Sequence, residues 1–289
     1  MRHKYDTIES LWVRRTEKTA AAEQRIVQEE GNRLTTGKTS EGRKQLGFRI
    51  FFYVAGLLIL ALGLTLNTKA GLGVSAIISV SYSLSVVMGK NFGDMTFVIY
   101  GVFVLIEIIL HMVRISRYES MEGQALKNAG RTDRRLVLLM DVLQLPLSLV
   151  FTRFLNVFSD YIPQFGEGEN TPGSYVLRLL VLIVAIILTG IGAAMSLNMR
   201  IIPNPGDGIV QAIADCAHKS VGFTKNCFDL LNITISTLVG LLLAGGLVGV
   251  GIGTVLAVIG VGRSIAVFNH FTYEKMAELS GVQEAKGQG

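Results

Sequence analysis

Charge is the scarcest thing in this sequence. Of 289 residues only 17% are Asp, Glu, Lys or Arg, and half are hydrophobic; a soluble domain carries roughly a quarter charged residues. The deficit excludes a soluble enzyme domain and a disordered chain, both of which rely on charge for hydration. Cysteine is nearly missing as well. Cys216 and Cys227 lack metal-type spacing, so a disulfide-stapled module is excluded and two free thiols are expected. No P-loop, HExxH, GxSxG or dinucleotide-binding pattern occurs. Reactive residue types stand singly, so no enzyme activity, cofactor or metal is expected.

Long apolar runs fill the space that charge leaves. A membrane-crossing helix needs about 20 mostly apolar residues. Six stretches qualify: 49–66, 95–113, 136–158, 175–197, 228–243 and 250–271. Gly-rich AGGLVGVGIG joins the last two, which predicts an antiparallel hairpin. The expected fold is all-α, a polytopic membrane helix bundle in contact with the lipid bilayer. The first apolar run begins near Phe48, too far in for a cleaved signal peptide.

Two further segments, 74–89 and 207–220, are short and polar for a span. The first is serine-rich; the second carries Asp215, His218 and Lys219. Each follows a helix-breaking run, NTKAGLG or NMRIIPNPG. Broken backbone at membrane depth survives only where protein or a wet cavity surrounds it. Both segments therefore read as half-helices or re-entrant pieces.

Charge bias decides between six spans and eight. Residues 1–49 hold 11 of the 27 Lys and Arg, and residues 114–135 hold 6 more, whereas loop 159–173 is acidic. With six spans and a cytoplasmic N-terminus, every basic loop falls inside and the acidic loop outside, as the positive-inside rule asks. Eight spans, with a parallel repeat, would reverse both loops. The chain accordingly divides into a basic cytoplasmic extension 1–47 and a first membrane repeat 48–158. An external loop 159–173, a second repeat 174–272 and a cytoplasmic tail 273–289 follow. The location expected is the cell membrane. The basic residues flank apolar segments, so nucleic acid is not an expected partner. Leu11-Trp12-Val13 amid Arg14, Arg15 and Lys18 suits either a surface-lying amphipathic helix or a solvated tail.

A shift of 131 residues aligns Leu66-Asn67-Thr68-Lys69 with Leu197-Asn198-Met199-Arg200, Phe92 with Phe223, and Phe97 with Phe228. Identities are few, but the order of parts is shared: long helix, Asn-x-basic, break, short segment, long helix, helix. With three full spans per half the second copy enters from the opposite side. Inverted repeats whose broken helices meet near the midplane are a recurring transporter plan. The expectation is that the two interrupted stretches meet around a solvated centre.

The residues at the breaks carry a resemblance. Ala70-Gly71-Leu72-Gly73-Val74-Ser75, Asn204-Pro205-Gly206-Asp207-Gly208-Ile209, Ser220-Val221-Gly222-Phe223 and Gly251-Ile252-Gly253-Thr254-Val255-Leu256 resemble motifs of the YczE/YyaS/YitT group of bacterial integral membrane proteins. The resemblance covers about residues 46–272 and implies topology more than activity. Where that group often has Pro-Trp-Asp after the first-half serine, this chain has Ala76-Ile77-Ile78, so no aspartate acts there. Arg200 and Pro203 interrupt a segment that is usually Gly-rich.

Candidate binding residues follow from position. Ser75 and Asp207 open the two short helices, where each suits either a helix cap or a ligand contact. Asn204 precedes the second. Asn67 and Asn198 end the first helix of each half, as C-terminal caps or as a symmetric pair lining a central site. Lys69 and Arg200 beside them read as interfacial snorkels. Glu107 and His111 are four apart on one helix face, with Arg114 a turn on; they suit a proton relay or an interfacial charge ladder. Asp141 lies two turns into its helix, followed by Gln144 and Pro146. Arg263 falls mid-span, either in a structural ion pair, with Asp141 or Glu107 as its candidate partner, or as a substrate-binding arginine, and it is the foremost single functional candidate. Phe51, Phe52, Tyr53, Phe151, Phe154 and Phe158 read as packing or lipid-facing. The function expected is a transporter for a small polar or anionic solute. The competing expectation is a membrane scaffold or regulator acting through partners.

Overall fold

The computed structural model describes residues 42–121, 134–165 and 171–282, with side chains at 42–114, 137–165 and 171–282. Residues 1–41, with Leu11-Trp12-Val13, and residues 122–133, 166–170 and 283–289 lie outside the described residues.

Among the described residues, six helices are long and apolar enough to cross a membrane and no strand occurs. The chain is a polytopic membrane helix bundle. Helix α1 (Gly42–Lys69) leads through a break into short α2 (Ala76–Met88), then α3 (Phe92–Met121) and α4 (Arg134–Tyr161). The order then repeats. Helix α5 (Pro172–Asn198) leads through a second break into short α6 (Pro205–Ala217), then α7 (Val221–Val239) and α8 (Ile252–Ser280). A wide turn, Gly240–Ala244, extends α7. Local chemistry sets several ends. Thr171 caps α5 through Ser174 N–H with Pro172 at the first helical position. Gly89, at φ 61°, stops α2 in the left-handed conformation.

At 13 residues each, α2 and α6 reach about 20 Å against a hydrocarbon core of about 30 Å. Hydrogen bonds establish that neither crosses. The carbonyl at the end of α1, on Lys69, accepts from Phe165 N–H at 3.0 Å, so the first break opens beside the α4–α5 connection. The start of α3 lies at that same end. Asp94 accepts from Arg153 and Asn156 near the end of α4, each at 3.1 Å. Since α2 runs directly into α3, it returns to the face from which the break entered. The second half mirrors this at the other face. The end of α5 is held by Arg49 near the start of α1, and α6 ends beside the far part of α3, where Arg114 meets Asp215 at 2.5 Å.

The two halves clamp each other reciprocally. Arg49 of α1 donates to Met199 O at 2.7 Å and Arg200 O at 2.9 Å, where α5 has run out of intrahelical donors. Arg178 of α5 donates to Ala70 O at 2.9 Å and also to Gly71 O, at the end of α1. Between the clamps α1 and α5 pack closely through small residues. A Cβ on Gly56 would lie 2.7 Å from Ser196 N and one on Gly63 2.5 Å from Thr189 N, while Gly192 abuts Leu60.

One expectation fails here. Helices α7 and α8 are not a packed hairpin: α7 lies on α2 and α6, and α8 lies on α5. The glycine-rich connection is the reason. It folds over the first break, with Val74 N–H on Gly249 O at 2.8 Å and Gly253 N–H on Leu72 O at 2.7 Å. A Cβ on Gly251 would stand 2.5 Å from Leu72 O, so only glycine lets the two backbones touch. The link serves as a lid and carries α8 away from α7.

Candidate functional site

The two short helices enter from opposite faces and meet start to start. A Cβ on Gly206, in the first turn of α6, would sit 2.9 Å from Ile77 Cγ1 in the first turn of α2 and 3.9 Å from the Tyr100 ring. Neither N-cap is spent on its own helix: Ser75 and Asn204 make no side-chain capping hydrogen bond. The capping alternative for Ser75 is therefore not realised. Asn204 Oδ1 is buried without a partner, and its side chain stands beside the Tyr100 hydroxyl. Asp207 sits deep in the bundle yet is only half-buried, within electrostatic reach of Lys225 on α7. Lys225 also faces Asp229, which is buried.

The contact between the two starts is apolar, contrary to the solvated centre expected. Ile77, Ile78, Tyr100, Phe103, Ile209 and Phe228 belong to one packed cluster around it. The short helices carry apolar residues in their first turns, and burial of that surface closes the gap. The polar side chains stand to either side of this closure.

Helix α2 is largely buried as far as Ser85 and presents Ser79, Ser81, Ser83 and Ser85 to the interior. Ser83 and Ser236 of α7 share a 2.5 Å hydrogen bond, and Ser83 also donates to Val248 O at 2.8 Å. Small hydroxylic side chains allow the close approach and bind it across helices.

A second polar cluster lies between α3, α4 and α6. Glu107 and Asp141 are 2% and 3% exposed. His111 Nδ1 lies 2.8 Å from Asp141 Oδ2, and Gln144 Nε2 donates to Glu107 Oε1 at 2.9 Å. One ligand-capable atom from each of Glu107, His111 and Asp141 falls within 4.8 Å of the others. Gly208 of α6 forms the roof. A Cβ there would lie 2.7 Å from Glu107 Oε2 and 3.1 Å from Gln144 Oε1. Arg114 closes the far side through Asp215, which also accepts from Gln211 at 2.9 Å.

The sequence candidates thus part company. Ser75, Asn204 and Asp207 gather at the helix starts; Glu107, His111 and Asp141 gather below. Glu107 and His111 form neither an isolated relay pair nor an interfacial ladder, because burial and a second helix turn them into a three-sided cluster. Arg263 joins neither group. It is exposed on α8, and Asp141 pairs with His111 instead. The physical reason is that α8 is the least buried span, packing on α5 and, at its end, against the start of α1. Asn67 and Asn198 are no symmetric pair either, since α1 and α5 end at opposite faces. Asn198 donates to Asn269 of α8 at 2.8 Å, and Asn67 is buried with Oδ1 unpartnered. Both cysteines are free thiols.

Sequence reasoning passed over Asp229, Tyr100 and the two clamp arginines, and named Gln144 without giving it a role. Asp229 had a signal, an acidic residue just inside the fifth apolar run. Tyr100 and the clamps had none, because their partners lie in another helix or in the opposite repeat.

A family model matches residues 47–123 and 130–270. The chain belongs to DUF6198, a family of unknown function. No curated protein and no solved structure matches it. The matched residues begin within α1 and end within α8, so the match spans the membrane bundle, the two breaks included.

Proposed function

We propose that this protein is a secondary transporter of the cell membrane, with its N-terminus in the cytoplasm, carrying a small polar solute between the facing starts of α2 and α6. One observation carries the reading: two re-entrant helix starts, one from each face, meet with neither N-cap side chain committed to its own helix. Half-helix N-termini aimed at the midplane are a recurring substrate-site device, offering backbone N–H groups and a positive dipole end. Asn204 adds an uncommitted buried oxygen, and Ser75 and Asp207 are half-buried at the same two helix starts.

The charged company shifts the solute away from an anion. Asp207 and Asp229 line the α6 side, Lys225 offsets one of them, and Arg263 stands outside. A neutral or cationic small molecule suits these groups. Ile77, Gly206 and Tyr100 form the thin closure between the two sides, and rocking of one repeat against the other would open it to either face. The resemblance to YczE/YyaS/YitT proteins supports the same plan, and the basic loops support the orientation.

A second reading, a non-transporting scaffold or regulator acting through partners, is favoured by the apolar packing of the closure. An Ile77→Cys variant lacking Cys216 and Cys227 separates the two. Transport predicts that a membrane-impermeant thiol reagent reaches position 77 in sealed vesicles. It also predicts that proteoliposomes take up at least one member of a panel of amino acids, alkylamines and polyols. A residue 77 that resists labelling from both sides, together with no uptake across the panel, would overturn the transporter.

A further inference from the structure

The cluster between α3, α4 and α6 is a donor set that solute passage at the helix starts does not use. Its charge does not balance. Glu107 and Asp141 are both withdrawn from water, and buried carboxylates need compensation by a partner of opposite charge. His111 supplies at most one positive charge, and Arg114, a turn further on, is engaged with Asp215 at 2.5 Å.

The hydrogen bonds do not balance either. Gln144, with 0% of its surface exposed, gives Nε2 to Glu107 Oε1, while its own Oε1 and Glu107 Oε2 are buried acceptors without a donor. Both oxygens face the same spot beneath Gly208. A buried unsatisfied acceptor costs about 1–3 kcal/mol, so two side by side on a carboxylate cluster ask for a cation.

We propose that Glu107, His111 and Asp141 bind one divalent first-row transition-metal ion, with Gln144 Oε1 as a further oxygen donor. Imidazole with carboxylates is a ligand set for zinc, manganese or cobalt rather than magnesium or calcium, which take oxygen alone. Their ligand-capable atoms already lie within 4.8 Å of one another. Metal–ligand bonds of about 2.0–2.2 Å require roughly 4 Å or less between them, a contraction that small side-chain rotations supply. Gln144 Nε2 orients the Glu107 carboxylate as an outer hydrogen-bond partner does in a metal site. The roof is the first turn of a re-entrant helix, so occupancy presses directly on α6. The site stands whether or not the protein moves a solute.

The test uses the full chain, purified in detergent with a histidine-free tag, stripped with chelator and titrated with Co²⁺. The expected result is a single saturable equivalent with visible ligand-field bands, displaced by Zn²⁺. His111→Ala, Asp141→Asn and Glu107→Gln should each weaken it at least tenfold, while Arg263→Ala leaves it unchanged. Where a variant does not remain monodisperse, the wild-type protein decides: chelation should lower its thermal midpoint and Zn²⁺ should restore it. No saturable binding by the monodisperse wild type, or equal binding by the variants, overturns the proposal. A thermal midpoint that follows pH but ignores metal assigns the cluster to a proton and overturns it equally. Metal binding without solute uptake would leave this site in place and remove only the transporter.

Discussion

At Gly208 a single methyl group has nowhere to go. The Cβ it would bring lies 2.7 Å from Glu107 Oε2 and 2.8 Å from Oε1, so the carboxylate must give way and strain its hydrogen bond from Gln144. Gly208→Ala should therefore cost about 1–3 kcal/mol, the range for overpacking a filled interior. Denaturation of the variant in detergent reads the loss, and unchanged stability would mean that Glu107 is free to move. Arg263 makes the opposite case. Exposed on α8 and remote from both clusters, it should be replaceable by Ala with no change in uptake. A collapse of flux in Arg263→Ala would return it to the centre of the mechanism.

Elements are held together by the two arginine clamps. Arg49 and Arg178 each give two donors to carbonyls at the end of the long helix in the opposite repeat. Hydrogen bonds from charged groups contribute about 1.5–3 kcal/mol, so Arg49→Ala and Arg178→Ala should each destabilise by about that much. Because the clamps sit at opposite ends of α1 and α5, their losses should add in the double variant. A marked departure from additivity would show that the repeats respond as one lever. The α1–α5 seam gives a second handle. Gly63→Val should wedge the helices apart and lower the thermal midpoint more than Gly262→Val on α8, where nothing lies within 4 Å.

Across the whole molecule the two breaks impose a topology that can be read from outside. With α2 and α6 both re-entrant, the end of α3 at Met121 shares a face with the start of α1, and residues 162–165 lie on the other. In a background lacking Cys216 and Cys227, a cysteine at Ala125 should react with an impermeant reagent only from the cytoplasm. One at Gln164 should react only from outside. Labelling of position 125 from outside would mean that α2 crosses, and the inverted arrangement would be lost.

Composition and periodicity were enough for the class of fold, because hydrocarbon imposes a length and a polarity on every helix that crosses it. They were also enough for the two breaks, where Gly71, Gly73 and Pro205 interrupt helices at matching places. Ser75, Asn204 and Asp207 could be named because a helix start announces itself in sequence. Partnership could not be read in this way. Asp141 stood as a candidate partner for Arg263, and only the packing of α4 on α3 gave it to His111 instead. Which spans are central and which peripheral was equally silent: α8 reads as a span like the others, yet it is the least buried of the six, and the α7–α8 link is drawn onto the first break. Side-chain type and local spacing are written along the chain, whereas the company a side chain keeps depends on contacts between helices distant in sequence. Those contacts come into being only when the two repeats interlock.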